Sequence, residues 1–508
     1  MPIVTVTIFA PLIGGILLAL LPREHQRGIE RAALAFGLVP FVLSLLMLVE
    51  FQPGEAGFPR GLEEQVAWIP TWGISYHVGV DGISLFLVLL TTFLTPLVIL
   101  ASWGEVKRAK EYFVLFLLLE TAMLGALVAL DLFLFYVFWE VMLVPMYLLI
   151  GVWGGPRRLY AATKFVLFTL VGSLPMLVAL LYCAWRTKAG AGSMSFDYER
   201  FLQLSLTPTE QLWCFAAFAL AFAIKVPLFP VHTWLPDAHT EAPTGGSVIL
   251  AGVLLKMGTY GLLRFAIPLF PHAVHELGPV LVGLAVIGIV YGALVAVVQA
   301  DVKKLVAYSS VSHLGFCVLG LFGLTTTAVA GSVYQMLNHG VSTGGLFLLV
   351  GMIYERRHTR QIAAFGGLWK IVPMYSVALL LVMLASAGLP GLNGFVGEFL
   401  ILVGSFPTWQ WPTAIATSGL VLGALYLLWM YQRVIFGPIT HEENRTLTDL
   451  STRELVVIAP VIALCVVMGL FPTPFLSRIE PSVARIVERV QPTHATAVAQ
   501  AEPPVVTP

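Results

Sequence analysis

The chain has 508 residues, of which 58% are hydrophobic and only 11% charged, and its mean hydropathy is +0.89. Soluble globular proteins carry about 25% charged residues, so the composition excludes an ordinary water-soluble fold. Lys plus Arg equals Asp plus Glu, at 28 each; with no basic tract or aromatic ladder, a nucleic-acid partner is excluded as well.

A membrane-spanning helix needs about 20 mostly apolar residues, because in lipid the backbone polar groups must be satisfied within the helix. In chain order such runs lie at 3–21, 32–51, 83–103, 112–130, 132–152, 163–185 and 211–230, then at 246–270, 276–299, 303–322, 328–353, 372–402, 411–436 and 454–472. These fourteen runs predict an all-α polytopic membrane protein. The first, Ile3 to Leu21, lacks a basic leader and a small-residue cleavage site, so it reads as a retained helix.

Orientation follows the Lys and Arg of short loops. Arg23, Arg27 and Arg31, then Lys107, Arg108 and Lys110, Arg157 and Arg158, Lys303 and Lys304, and Arg356, Arg357 and Arg360 fall on one side of the predicted helices. The opposite loops are poorer, although Arg186, Lys188 and Arg200 weaken the contrast. Both termini are therefore expected outside. The Ala-, Pro-, Val- and Thr-rich tail from Thr493 is expected to be disordered.

Two predicted helices carry breaks. The seventh has Pro227 and Pro230 directly after Lys225; the twelfth has Gly388, Pro390 and Gly391, followed by Gly394 and Gly397. Proline removes an intrahelical bond, and paired interrupted helices in separated halves are the mark of a transporter built from repeats. A plain proline kink is the simpler alternative for either one.

Charged side chains at mid-membrane cost about 2.5–3.5 kcal/mol even on the lenient insertion scale, so each needs a reason. Glu140 sits in LFLFYVFWEVMLVPMYLLI, Lys225 before the first break, Lys256 in VILAGVLLKMGTYGLL and Glu398 after the second break. His313 and His339 lie on the two helices between. Carboxylate, amine and imidazole all accept and release protons, and burial brings their proton affinities closer together. Two charges about 4 Å apart interact by about 4 kcal/mol at an effective dielectric of about 20, roughly a thousandfold in a proton equilibrium. Moving Glu140 relative to Lys225 can thus decide whether the lysine keeps its proton. The bland alternatives are satisfied interhelical pairs for the charged residues and interhelical hydrogen bonds for the histidines. Glu120 is a minor candidate for a second acidic site, Asp131 reads as an interface residue, and Lys164 and Arg433 are placed to snorkel.

The four cysteines, Cys183, Cys214, Cys317 and Cys465, are scattered singly, without metal-binding spacing. No strand precedes a Gly-rich nucleotide loop, so redox chemistry is expected in another chain.

At these residues the sequence resembles a known family. AIKVPLFPVHTWLPDAHTEAPTGGSVILAGVLLKMGTYGLLRF at 223–265, HVGVDGISL at 77–85, FYVFWEVMLVPMYLLIGVWG at 135–154 and DVKKLVAYSSVSHLGF at 301–316 are similar to the antiporter-like proton-conducting subunits of complex I. GLPGLNGFVGEFLIL at 388–402 carries Glu398, which resembles the M-type subunits of NADH–quinone oxidoreductase; the related L and N types carry lysine there. The long lateral helix of L-type subunits has no counterpart. The resemblance spans nearly the whole chain.

It implies proton-translocation roles for Glu140, Lys225, Lys256, His313, His339 and Glu398, and helices 4–8 and 9–13 as two inverted repeats. The implied division is 1–110, 111–270, 271–436, 437–492 and the tail 493–508. It further implies a bacterial inner-membrane location and L and N neighbours. FMN, iron–sulfur clusters and quinone would belong to partner subunits, with no cofactor or metal in this chain. The D-type member of an Mrp-type multisubunit Na+/H+ antiporter is the nearest alternative, and a membrane-bound hydrogenase component is a further relative. A lone carrier of an organic solute would need a midplane pocket, whereas the charges here are strung along the chain. A purely structural scaffold would leave the buried charges and broken helices unexplained.

Overall fold

Apolar runs of spanning length become helices whose ends fall within a few residues of those expected. The computed structural model describes residues 2–491 apart from 53 and 56, and not the side chains of residues 189–191; the tail expected to be disordered lies outside the described residues. Among the described residues, twelve helices are long and apolar enough to cross a membrane. The first six are α1 (Ile3–Leu20), α2 (Gln26–Glu50), α3 (Ser84–Ala101), α4 (Ala109–Val128), the pair α5 (Leu132–Val141) and α6 (Leu143–Trp153), and α7 (Arg158–Ala191). After a short α8 (Tyr198–Leu202), the seventh run is split into α9 (Pro208–Lys225) and α10 (Trp234–Glu241). Next come α11 (Thr244–Leu269), α12 (Pro271–Val297), α13 (Val302–Leu321) and α14 (Thr326–Arg357). The twelfth run is split into α15 (Pro373–Ser386) and α16 (Asn393–Ser405), and α17 (Gln410–Ile435) and α18 (Thr452–Leu470) follow. α11 and α14 are buried along their whole apolar spans, whereas α1, α2 and α18 turn much of theirs outward.

Both predicted breaks are present and share one bonding scheme. Val226 N donates to Phe222 O and Leu228 N to Ala223 O, each at 2.8 Å; Ala387 N donates to Met383 O at 2.8 Å and Leu389 N to Leu384 O at 3.1 Å. A second motif also occurs twice. Asp131 caps α5 through the Phe133 and Leu134 amides, and Asp301 caps α13 through those of Lys303 and Lys304. Leu132 N donates to Phe196 O and Tyr198 N to Leu130 O; correspondingly, Val302 N donates to Arg360 O and Ile362 N to Ala300 O. The two motifs lie at opposite ends of the bundle, since Asp131 also accepts from Ser75 N at 2.9 Å, while Lys303 Nζ donates to Ala242 O at 2.5 Å.

The basic loops gather at the second of these ends. Arg23 pairs with Glu111 at 2.7 Å, the Trp153 indole donates to Lys107 O, Arg157 N donates to Glu241, and Arg360 donates to Thr240 O.

Four features depart from the sequence expectation. The chain is not wholly helical: β1 (Glu63–Ile69) and β2 (Ile74–Gly79) pair antiparallel. Their connection needs Gly73, at φ +68°, where a Cβ would strike the Met194 carbonyl. The expected fifth helix is interrupted at Met142, because Pro145 has no N–H to give the Val141 carbonyl. α11 contains two π-helical stretches, Leu250–Leu254 and Leu262–Ala266, which flank the turn bearing Lys256; such stretches occur often at functional sites. Finally, α19 (Thr473–Val490) lies across the hairpin end on an apolar stripe of Ile479, Val483, Ile486, Val487 and Val490. Ser482 Oγ accepts from Gly82 N at 3.1 Å, and Arg489 Nε donates to Pro268 O at 2.9 Å.

Candidate functional site

The predicted ionisable residues fall into two groups. In the first, Glu140 is the last residue but one of α5 and Lys225 is the last of α9, so both side chains project close to where their helices stop. Lys225 is wholly buried. Its ammonium lies 5.3 Å from the Trp139 ring centre and 5.4 Å from that of Phe165, an aromatic setting that holds a cation without fixing it. Among the described residues Lys225 Nζ has no hydrogen-bond partner, and neither has Glu140 Oε1. The carboxylate charge still acts on the lysine. The pair is therefore open in this structure, close enough to feel one another and not in contact.

The second group is two hydrogen-bonded pairs whose histidines face each other, with no hydrogen bond between the two rings among the described residues. Lys256 Nζ donates to Ala251 O and meets His339 Nδ1 at 2.6 Å. The His339 and His313 rings are 5.9 Å apart, centre to centre. His313 Nδ1 meets Glu398 Oε1 at 2.7 Å, and its Nε2 meets the Tyr426 hydroxyl at 3.2 Å. Lys256, His339 and Glu398 are 2% exposed or less and His313 is 7% exposed. Four residues from α11, α14, α13 and α16 thus form one buried line of proton-exchanging groups, amine to imidazole to imidazole to carboxyl. The turn between α15 and α16 shapes its end: Gly388 sits at φ +75°, and a Cβ there would stand 3.1 Å from Glu398 Oε2.

The sequence reading missed several members. Gln335 Nε2 donates to Glu398 Oε1 at 2.9 Å, Asn338 Nδ2 donates to Gln335 Oε1 at 3.2 Å, and Asn393 Nδ2 donates to Asn338 O at 3.3 Å. Gln335, Asn338 and His339 recur at helical spacing, a signal that was available. His239 is buried and stacked on Phe347 at 4.5 Å between centroids, and neither ring nitrogen has a hydrogen-bond partner among the described residues. Tyr426 carried no warning.

Other expectations resolve differently. Lys164 does not snorkel; it pairs with Asp237 at 2.7 Å and ties α7 to α10. Arg433 stacks on Trp429 at 3.8 Å. Asp131 is a buried helix cap. Cys183 and Cys214, far apart in sequence, bring their sulfurs to 3.9 Å. An unforeseen buried pair, Arg264 with Asp81 at 2.5 Å, joins α11 to the start of α3.

Comparison with known proteins adds to this geometry. Residues 129–426 match the family model described as "NADH:quinone oxidoreductase/Mrp antiporter, TM", and residues 65–130 match "NADH-ubiquinone oxidoreductase chain 4, amino terminus". The chain is 46% identical over 497 residues to "NADH-quinone oxidoreductase subunit M" of Rhodobacter capsulatus, covering 96% of both. It is 41% identical over 483 residues to "NADH-ubiquinone oxidoreductase chain 4" of Marchantia polymorpha, covering 95% of this chain and 96% of that one. A chain in the structure of respiratory complex I from Thermus thermophilus with bound NADH superposes with TM-score 0.87 at 35% identity, covering 96% of this chain and all of that one.

Proposed function

The chain belongs to the family of NADH-quinone oxidoreductase subunit M, the proton-translocating membrane subunit of respiratory complex I, and from that premise we propose how its residues divide the work. The Glu140–Lys225 pair gates, Lys256, His339 and His313 relay, and Glu398 passes the proton toward the exit. The observation that carries this reading is the Lys256–His339 and His313–Glu398 pairs, drawn from four helices with their imidazoles facing each other. The open first pair supports the gate, since a lysine not locked in an ion pair can be switched by a moving carboxylate.

Fourteen crossings in two inverted repeats, helices 4–8 and 9–13, fit the twin capping and twin break motifs at opposite ends of the bundle. The gathering of basic loops at one end favours that end inside a bacterial plasma membrane and both termini outside. The neighbours are the L- and N-type subunits, while FMN, iron–sulfur clusters and quinone belong to other chains of the complex.

Lys225→Ala, assembled into the complex and reconstituted in vesicles, tests the gate: NADH-driven proton uptake is expected to collapse, and undiminished pumping would refute the assignment. Copurification in mild detergent separates the Mrp-type alternative, which the family description also names. Flavin- and iron–sulfur-containing partners support complex I; small membrane proteins alone would support the antiporter.

A further inference from the structure

Glu120 belongs to neither group just described. It lies in the middle of α4, is fully buried, and has no hydrogen-bond partner on either carboxylate oxygen among the described residues. Thr95 of α3 is the polar neighbour near enough to act on it, and the Thr95 hydroxyl already donates to Thr91 O at 3.0 Å. A carboxyl kept only for packing would have been replaced by an apolar group or given donors, because burying it unpaired is costly.

Its surroundings point outward along one seam. Two helical turns from Glu120, α4 presents Tyr112; two turns from Thr95, α3 is followed by Ser102. The Tyr112 and Ser102 hydroxyls are 3.4 Å apart. Gly245 lets α11 pack closely on this seam, since a Cβ there would lie 2.6 Å from Val98 and 2.8 Å from the Tyr112 oxygen. Glu355 acts on Tyr112 at this end, and the Glu105–Arg453 pair at 3.3 Å stands nearby in the basic-loop face. On the inner side, Leu94 packs against Gly252, one turn before Lys256. Leu94 adjoins Thr95 in α3, so the helix beside Glu120 also packs on the helix that carries the relay lysine.

We propose that Glu120 is a second proton-loading carboxyl, fed along the α3–α4 seam and discharging toward Lys256; the proposal rests on the relay reading above. The carboxylate takes a proton from the basic-loop face to form the neutral acid. Its O–H bond then breaks as intervening water carries the proton to the neutral Lys256 amine, which becomes ammonium, and the carboxylate is restored.

The test uses the assembled complex in vesicles with Glu120→Gln, Glu120→Asp and Lys225→Ala. Glu120→Gln keeps size and polarity without a titratable proton, so NADH-driven acidification should fall about tenfold or more, while Glu120→Asp retains most of it. Parent-like pumping by Glu120→Gln beside an inactive Lys225→Ala overturns this proposal alone; parent-like pumping by both overturns the relay reading itself. Should Glu120→Gln fail to assemble, Glu120→Asp decides through infrared difference spectra under turnover. A shifted protonated-carboxyl band supports the site, and a spectrum identical to the parent's overturns it.

Discussion

Replacing His339 separates relay from scaffold. His339 Nδ1 is the side-chain partner of Lys256 Nζ, at 2.6 Å, and its ring is the member that faces His313 at 5.9 Å. Without the imidazole, Lys256 and His313 stand farther apart than one hydrogen bond, and direct proton transfer needs roughly 2.6–3.2 Å between heavy atoms or one bridging water. His339→Leu fills the space with apolar atoms of similar bulk, so no bridge forms, and pumping should drop about 10²-fold or more. The stability loss is smaller. An interhelical hydrogen bond in a membrane is worth about 1–2 kcal/mol at most, against domain stabilities of about 5–15 kcal/mol, and Lys256 keeps its bond to Ala251 O. The variant complex should therefore assemble. His339→Ala leaves a hole that added imidazole can enter, so partial chemical rescue is expected there and not in the leucine variant. The assay is dye-quench acidification in vesicles, with subunit content checked by native gels. A normally assembled His339→Leu complex pumping at the parent rate would refute the relay.

Three further expectations can be checked alongside. Glu140→Gln removes the carboxylate that acts on Lys225; pumping should fall as far as in Lys225→Ala, and the double variant should be no worse than either, the signature of residues acting as one unit. Additive losses would separate them. Asp81→Ala strands the Arg264 guanidinium in a buried site where both partners are 3% exposed, so it should cost about 3–5 kcal/mol. Adding Arg264→Met should recover most of that in the thermal stability of the solubilised complex, and no recovery would show that the pair itself is not the cause. His77, in β2 outside the spanning helices, is pushed down by burial but raised more by its hydrogen bonds to Asp197 at 2.7 Å and Glu63 at 3.0 Å, a net rise above 6.5. Its protonated form holds the hairpin fully below about pH 6.5, and that stabilisation is lost as pH rises through the raised folded value. Hydrogen-exchange protection over residues 63–79, taken relative to the intrinsic base-catalysed rate, should fall at alkaline pH in the parent, and His77→Gln should abolish that pH dependence of the protection.

The spans, the two breaks and the charges set in apolar helices were legible because each is a local matter, although Glu140 proves only half-buried. A charge in an apolar run or a proline in a helix carries its cost wherever the helix sits, so Glu140, Lys225, Lys256 and Glu398 stood out without any contact being known. The hairpin was not legible, since its first strand, Glu63–Ile69, is largely exposed and shows no clean alternation. α19 was missed because its charged face lowers its hydropathy below that of a spanning helix.

What the chain's own order determined, then, is which residues are buried against their chemistry and where helices must stop. Which of them touch was decided by packing. His339 reaches Lys256 across 83 residues and His313 reaches Glu398 across 85, and these contacts depend on how α11, α13, α14 and α16 cross. Glu140 and Lys225 had equal claims to contact by composition, yet Lys225 Nζ and Glu140 Oε1 have no partner among the described residues. Side-chain reach is only a few ångströms, whereas helix placement is set by the whole bundle, so the relay's connectivity belongs to the tertiary structure.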